Sequence, residues 1–512
     1  MKKYILITAI ILAASVSGCK KDFLSLEVNP NLPSVTTPQL SLAGALAFVP
    51  NIEVNDYIIY DIWSGYWSWN GGVVPPASIF QYQFTNTSFS PPIWNDLYTN
   101  ATNFNNLIIA SSKDASLHNF QAIGMIMKAW DFENLVDNFN DVPYSQAFQP
   151  STILFPKYDK AAAIYTDLGK QLDAAIALIG TAPSGTAPGN SDVMFGKAGD
   201  VVAEMKLWTR FAQTLKLRLA IKESQIGASP GSILGPIPAL AAGLPAADGS
   251  AYLTTDALIN PGYANTANQI NPYYGGFVFD ANGNPGANAQ VYRANAYSIN
   301  LLKNNNDPRL AQEFSAVQTP LPATGNYRGN VFGDAVNILG TQFTSGAGPA
   351  YSISPTQSSI LMLAAESYFL QAEAVVRGYI TTGNAATLYA QGVTADFLYL
   401  GLSAGQATTY LAANPFPTTG SQGAQIQAII GQKYVAFLNG YDGLQAFNDY
   451  RRTSFPALPS SVDPAAASTH LPSRLFYPIT EAQSNPVQYA AAGGATISRF
   501  TSQIFWDTRT GL

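Results

Sequence analysis

The sequence predicts a mainly α-helical protein made of stacked helical hairpins, and three observations lead there. Segments of roughly 20 residues recur with apolar side chains at helical spacing. Two of them open with proline in the first turn, where the missing N–H costs nothing. Each has a single apolar face that needs a neighbour to cover it, and with 47% hydrophobic residues the chain has the material for a large core.

"TPQLSLAGALAF" begins the first helix, with Thr37 as cap and Pro38 at the first helical position. Pro91 and Pro92 lead into "IWNDLYTNATNFNNLIIASS", where Ile93, Leu97, Phe104, Leu107 and Ile108 fall on one face. "LHNFQAIGMIMKAWDFENLVDNF" follows as its partner. "YDKAAAIYTDLGKQLDAAIALIG" and "AGDVVAEMKLWTRFAQTLKLRLAIKES" form a second pair. "SSILMLAAESYFLQAEAVVRG", "NAATLYAQGVTADFLYLG" and "QIQAIIGQKYVAFLNG" supply helices towards the C-terminal end. Pair separations vary and no fixed-period motif recurs, so the hairpins are not a regular repeat. Two stretches break the helical texture: residues 225–355, crowded with Gly, Pro, Asn and Ala, and residues 452–500, rich in proline. Loops of such length are functional or disordered. Aromatics in "NPYYGGF" (271–277) and "NYRGNVF" (326–332) favour ordered loops that carry function.

The N-terminal residues read as an address. Lys2 and Lys3 precede a mostly apolar run from Tyr4 to Val16 that is too short to span a bilayer, and "SVSGC" places small residues before Cys19. Cys19 is the only cysteine in 512 residues, so it has no disulfide partner in its own chain. The pattern resembles a bacterial lipobox. It implies a signal peptide over 1–18, lipid (palmitate) on Cys19 and a tether over 19–36, ahead of one helical domain from 37 to 512.

Removal of 1–18 takes away Lys2 and Lys3 and moves the formal charge from −6 to −8. No basic patch remains, which argues against nucleic acid as a partner. Only 11% of residues are charged, so the surface is wetted by neutral hydrogen-bonding groups, which suits a neutral polar ligand.

Catalytic chemistry finds little purchase. A glycoside hydrolase needs two carboxyl groups about 5 to 9.5 Å apart, and Glu366 with Glu373, seven residues apart on one helix, are separated by roughly 10.5 Å along the axis. They read as packing or surface residues. The two histidines, His118 and His470, form no ligand-spaced cluster, and there is no G-x-S-x-G turn and no EF-hand. Arg451, Arg452 and Asp449 read as structural ion pairs. No catalytic residue, metal or cofactor is expected.

A neutral polar ligand with apolar C–H faces calls for flat aromatic platforms edged by amides. "IWSGYWSWNGG" (62–72) holds three of the seven tryptophans. Tyr60, Trp63 and Trp67 lie at i, i+3 and i+7, a single helical stripe that suits core, with ligand contact as the open alternative. Tyr66 and Trp69 lie off the stripe where Asn70, Gly71 and Gly72 should end the helix; they are candidate platforms, and Asn70 is a candidate ligand-binding amide beside them. Tyr273 and Tyr274 are candidates from the irregular stretch.

A series of blocks in order resembles the SusD/RagB family of outer-membrane lipoproteins: "CKKDFLSLEVNPNLP", "LVDNFNDVPYSQAF", "LFPKYDK", "LWTRFAQTLKLRLA", "NDPRL", "FLQAEAVVRG", "IIGQKYVAFLNGYDGLQAFNDYRRTSFP", "LPSRLFYPITEAQSNP" and "IFWDTR". Asn140 stands where the family has glycine, a change that a left-handed backbone tolerates. Phe447 stands where tryptophan is usual. The resemblance runs from Cys19 to the end, and the starch-binding subgroup is nearest. It implies tetratricopeptide-like hairpins supporting a loop-rich ligand face. It also implies a non-catalytic glycan-binding lipoprotein at the cell exterior that passes nutrient to a SusC-like TonB-dependent transporter beneath it. A peptide-binding lid of the RagB type is the alternative, and a lipid-anchored scaffold or hydrolase a more distant one.

Overall fold

The computed structural model describes residues 37–181, 186–229, 232–319, 326–438 and 442–510; the signal segment, Cys19 and the tether lie outside them. The helices of the first half are α1 (Pro38–Asn51), the short α2 (Ile58–Trp63), α3 (Ser90–Ser111), α4 (His118–Phe139), α5 (Ala161–Thr181) and α6 (Val201–Lys222). After the loop-rich middle come α7 (Pro272–Phe277), α8 (Ala296–Asn304), α9 (Ala364–Arg377), α10 (Ala385–Tyr399), α11 (Ala404–Ala413), α12 (Gln422–Ala436) and α13 (Gly443–Thr453).

Helix starts follow the chemistry of their caps. Thr37 accepts from the Leu40 amide with Pro38 behind it, Asp200 accepts from Ala203 at 2.8 Å, and Ser403 forms a reciprocal box with Gln406. The hairpins stack in sequence: α3 packs on α4, α4 on α5, α5 on α6 and α6 on α9, while α9 also carries α10 and α12.

A buried ionic network ties these layers together. On α6, Arg218 forks onto Glu133 of α4 at 2.9 and 2.7 Å and reaches Glu366 of α9 at 3.3 Å. Lys222 bridges Glu133 and Asp137 of α4. On α13, Arg452 holds Glu373 of α9 at 2.6 Å and Asp449 at 2.9 Å. Glu366 and Glu373 are therefore both interior ion-pair partners, and neither is a surface residue. Burial by itself raises the Glu373 carboxyl, but Arg452, Arg377 and Lys433 outweigh it and hold the group at about 2.

Among the described residues, six short strands form three antiparallel pairs. β1 (Trp67–Trp69) pairs with β5 (Tyr292–Ala294), β2 (Val142–Pro143) with β3 (Tyr158–Asp159), and β4 (Ala257–Ile259) with β6 (Ser359–Met362). The turn before β2 has Asn140 at φ 63°, the positive-φ backbone expected where the family has glycine. Residues 225–355, read as irregular, contain α7, α8, β4 and β5. These elements are short and defined by asparagine caps, Asn271 for α7 and Asn295 for α8, so they leave little periodic trace in the sequence.

Candidate ligand face

The stretch expected to be one helix from Tyr57 to Gly72 is not. α2 ends at Trp63, Gly65 turns the chain at φ 78°, and Trp67–Trp69 becomes β1, with Trp67 opposite Ala294 and Trp69 opposite Tyr292. The strand matters because the loops that follow β1 and precede β5 are thereby brought side by side.

That pairing also decides the fate of the predicted platforms. Trp63 is fully buried among Tyr60, Phe84, Phe89 and Phe447. Trp67 is buried and stacks on Phe277 at 5.1 Å. Tyr66 is buried and donates its hydroxyl to the Tyr434 carbonyl at 2.9 Å. Trp69, at 6% exposure, meets Phe80 and Tyr292 edge-on. Tyr273 stacks on Phe277 at 4.8 Å and 15°. Its other neighbours, Glu53 and Tyr351, border a hollow of about 30 Å³, room for a water or two but not for a sugar ring. Tyr66, Trp69 and Tyr273 are thus corrected from candidate platforms to core, while Trp63 and Trp67, whose stripe suited core with ligand contact as the alternative, are buried. The physical reason is packing by other segments of the chain: Phe84, Phe89 and Phe447 cover Trp63, Tyr434 meets Tyr66, Phe277 stacks on Trp67, Phe80 and Tyr292 flank Trp69, and Tyr351 meets Tyr273.

Asn70 is corrected too. It is buried, and its Nδ2 donates to the Gln290 carbonyl at 2.7 Å, so it fastens one loop to another. Three further buried asparagines do the same. Asn330 Nδ2 spans the carbonyls of Trp69 and Leu339 at 2.7 and 2.9 Å. Asn295 reaches the Trp67 carbonyl, and Asn271 joins Gln357 and Ser359. Buried amides that donate to loop carbonyls in this way tie distant backbone together. Gly71 completes the seam: a β-carbon there would stand 2.6 Å from the Ile338 carbonyl oxygen, so only glycine lets the 334–340 loop lie this close.

What faces outward is a different set. Val74 is 88% exposed, Val336 90% and Phe279 45%, and the Tyr274 ring is half-buried with no hydrogen bond to its hydroxyl among the described residues. The two acids of this rim serve their own turns: Asp280 accepts from Asn282 and Asn284, and Asp334 from Val336 and Asn337. Those amide donors hold both carboxyls below their usual range. The face is apolar and amide-rich, its backbone is pinned, and its acids are already satisfied. Of the predicted residues only Tyr274 belongs to it. Phe279, Val74, Val336 and Asn337 were missed, since they sit singly in aperiodic loops.

Elsewhere, Arg451 donates to the carbonyls of Ser473 and Asp137, which makes it a structural residue as read. Among the described residues no group of three or more His, Cys, Asp and Glu could hold a metal ion, and no helix is long and apolar enough to cross a membrane.

The chain matches the model of a SusD-like family, described as starch-binding and associating with the outer membrane, over residues 54–478. Among solved structures it is similar to a chitin-binding protein, with a TM-score of 0.73 at 23% identity over 91% of this chain and 100% of that one. A chitin-binding SusD homologue from Flavobacterium johnsoniae gives 0.69 at 23% over 91% and 98%. A SusD homologue from Bacteroides fragilis gives 0.71 at 20% over 93% and 100%. Among curated proteins none matches. At these identities the likeness to solved structures speaks to the fold.

Proposed function

Because the chain belongs to the SusD-like family of outer-membrane-associated proteins, we propose that its loop face captures neutral glycan at the cell exterior for a SusC-like TonB-dependent transporter, with Cys19 as the lipid anchor. The observation that carries the glycan reading is the outward rim itself. Tyr274 and Phe279 offer ring faces to the C–H surfaces of sugars, Asn337 and its loop backbone offer hydrogen bonds, and the rim's two acids are tied into their own turns. Aromatic packing beneath keeps that surface rigid, so little ordering cost falls on binding. The chain's role is binding without catalysis, since Glu366 and Glu373, the carboxylates weighed for hydrolysis, are occupied by arginines.

Affinity electrophoresis in gels cast with starch, glycol chitin and other neutral polysaccharides tests this. Retardation in at least one gel is expected. Replacing Tyr274 and Phe279 with alanine should each weaken binding by about 1 to 2 kcal/mol with the melting temperature nearly unchanged. Binding to oligopeptides with no retardation in any polysaccharide would move the protein to the peptide-binding reading. Co-purification with the transporter from detergent-solubilised outer membrane tests the partner.

A further inference from the structure

Away from the loop face, α8, α12 and the turn at Phe455–Ala457 enclose a trough of about 610 Å³. Past Asn305, Tyr410 and Asn414 it continues into a hollow of about 730 Å³ beside α11, walled by Asn304, Ser403, Gln406 and Thr409. Both volumes lie in the range of ligand clefts. The lining is aromatic and amide-bearing. Asp307 is the one charged residue on the walls among the described residues, and it is engaged by Arg309 at 2.6 Å. Arg309 also donates to Gln432 Oε1 at 2.8 Å, and Gln432 Nε2 donates to the Tyr410 hydroxyl at 3.0 Å, so the polar groups at the junction are fixed in orientation.

Two features of the trough have no use within the protein. Tyr389 borders it at 3% exposure, yet its hydroxyl has no hydrogen-bond partner among the described residues and is not sealed from solvent. Gly431 lies inside α12 on the wall, where glycine costs a helix about 1 kcal/mol against alanine. Its missing side chain serves no neighbour: a β-carbon there would meet only Phe455 Cε1, at an ordinary 3.8 Å. Glycines inside other helices do have such a neighbour, Ile108 at 3.0 Å for Gly124 and Phe369 at 2.6 Å for Gly392. Gly44 and Gly180 are as open as Gly431, but they lie on exposed helix faces.

We propose that this trough is a second site for a neutral oligosaccharide, laid against the bare backbone at Gly431 between Tyr297 and Phe455, with Gln427 and the Tyr389 hydroxyl as hydrogen-bonding groups. The proposal rests on the glycan reading and adds to the loop face a site on the helical layer. A neutral, polyhydroxylated chain fits because the walls supply ring faces and amides without a free charge.

Hydrogen–deuterium exchange of the whole protein with maltohexaose, and separately with chitohexaose, tests it. With at least one probe, protection is expected in peptides covering 296–307 and 422–436 as well as in those covering the loop face. Gly431→Leu, which fills the trough, should abolish protection at 422–436 while leaving the loop face protected. Gln427→Ala, at an exposed position, should weaken that site about threefold or more, corresponding to about 0.7 kcal/mol. Gly431→Ala should keep the site and raise the melting temperature slightly. Protection confined to the loop face overturns the trough and leaves the glycan reading standing, whereas no protection anywhere overturns both. Protection at 422–436 that persists in Gly431→Leu, or that follows a neutral hexapeptide and neither sugar, also overturns the proposal.

Discussion

Glu373 shows how far a side chain's role depends on what surrounds it. In sequence it is one of two carboxylates on a helix; in the structure three cations face it and hold its pKa at about 2. The folded pKa lies below the unfolded one, so the group contributes stability above about pH 4.5, and that contribution is lost as pH falls towards 2. Glu373→Gln leaves Arg452 and Arg377 without their carboxylate and should cost about 3 to 5 kcal/mol at pH 7. Urea titrations should show the gap from wild type narrowing between pH 5 and pH 3, and a constant gap would remove the ion pair as its cause. Trp69 makes the corresponding case among the aromatics. With its ring between Phe80 and Tyr292, Trp69→Ala should lower stability by about 3 to 5 kcal/mol in chemical denaturation. A variant as stable as wild type that fails to bind glycan would return Trp69 to the ligand face.

At the scale of elements, helices and loops are held by different means. The helices bury one face each, and that face is visible in the sequence at periods of three and four. The loop layer has no such period. Its backbone is set by Asn70, Asn271, Asn295 and Asn330, four buried amides each with a partner tens to hundreds of residues away in the chain. Gly71→Ala tests that seam. Its β-carbon would collide with the backbone at Ile338 and Leu339, so the 334–340 loop has to move. Glycan affinity is expected to drop about tenfold, the equivalent of about 1.4 kcal/mol, with a modest loss of melting temperature. Unchanged affinity would separate this loop from the ligand face. The reading of Trp67 as part of a helical stripe failed at the same scale, because pairing with residues 292–294 overrode local spacing and pulled 67–69 into a strand.

At the scale of the molecule, a set of charges is buried where helical layers meet, and the candidate ligand face is neutral. Glu133, Asp137, Arg218, Lys222, Glu366, Glu373 and Arg452 join separate helical layers, while the ligand face meets solvent with valine, aromatic and amide side chains. Exposed charges are screened within about 10 Å at 0.1 M salt, so an uncharged ligand on an uncharged face should notice little. The glycan dissociation constant is expected to change by less than about twofold between roughly 50 mM and 500 mM sodium chloride. A steep salt dependence would point to a charged ligand instead.

By itself the sequence determined the long paired helices, the family and the low charge content, because these follow from periodicity, ordered blocks and composition. Only the tertiary structure decided which aromatics are buried. Tyr66 and Trp69 read as platforms when "IWSGYWSW" is taken alone, yet Tyr434 and Tyr292 pack against them, as Phe277 packs against Trp67. Burial is a property of the pair, and such pairings span hundreds of residues of chain that local spacing does not record.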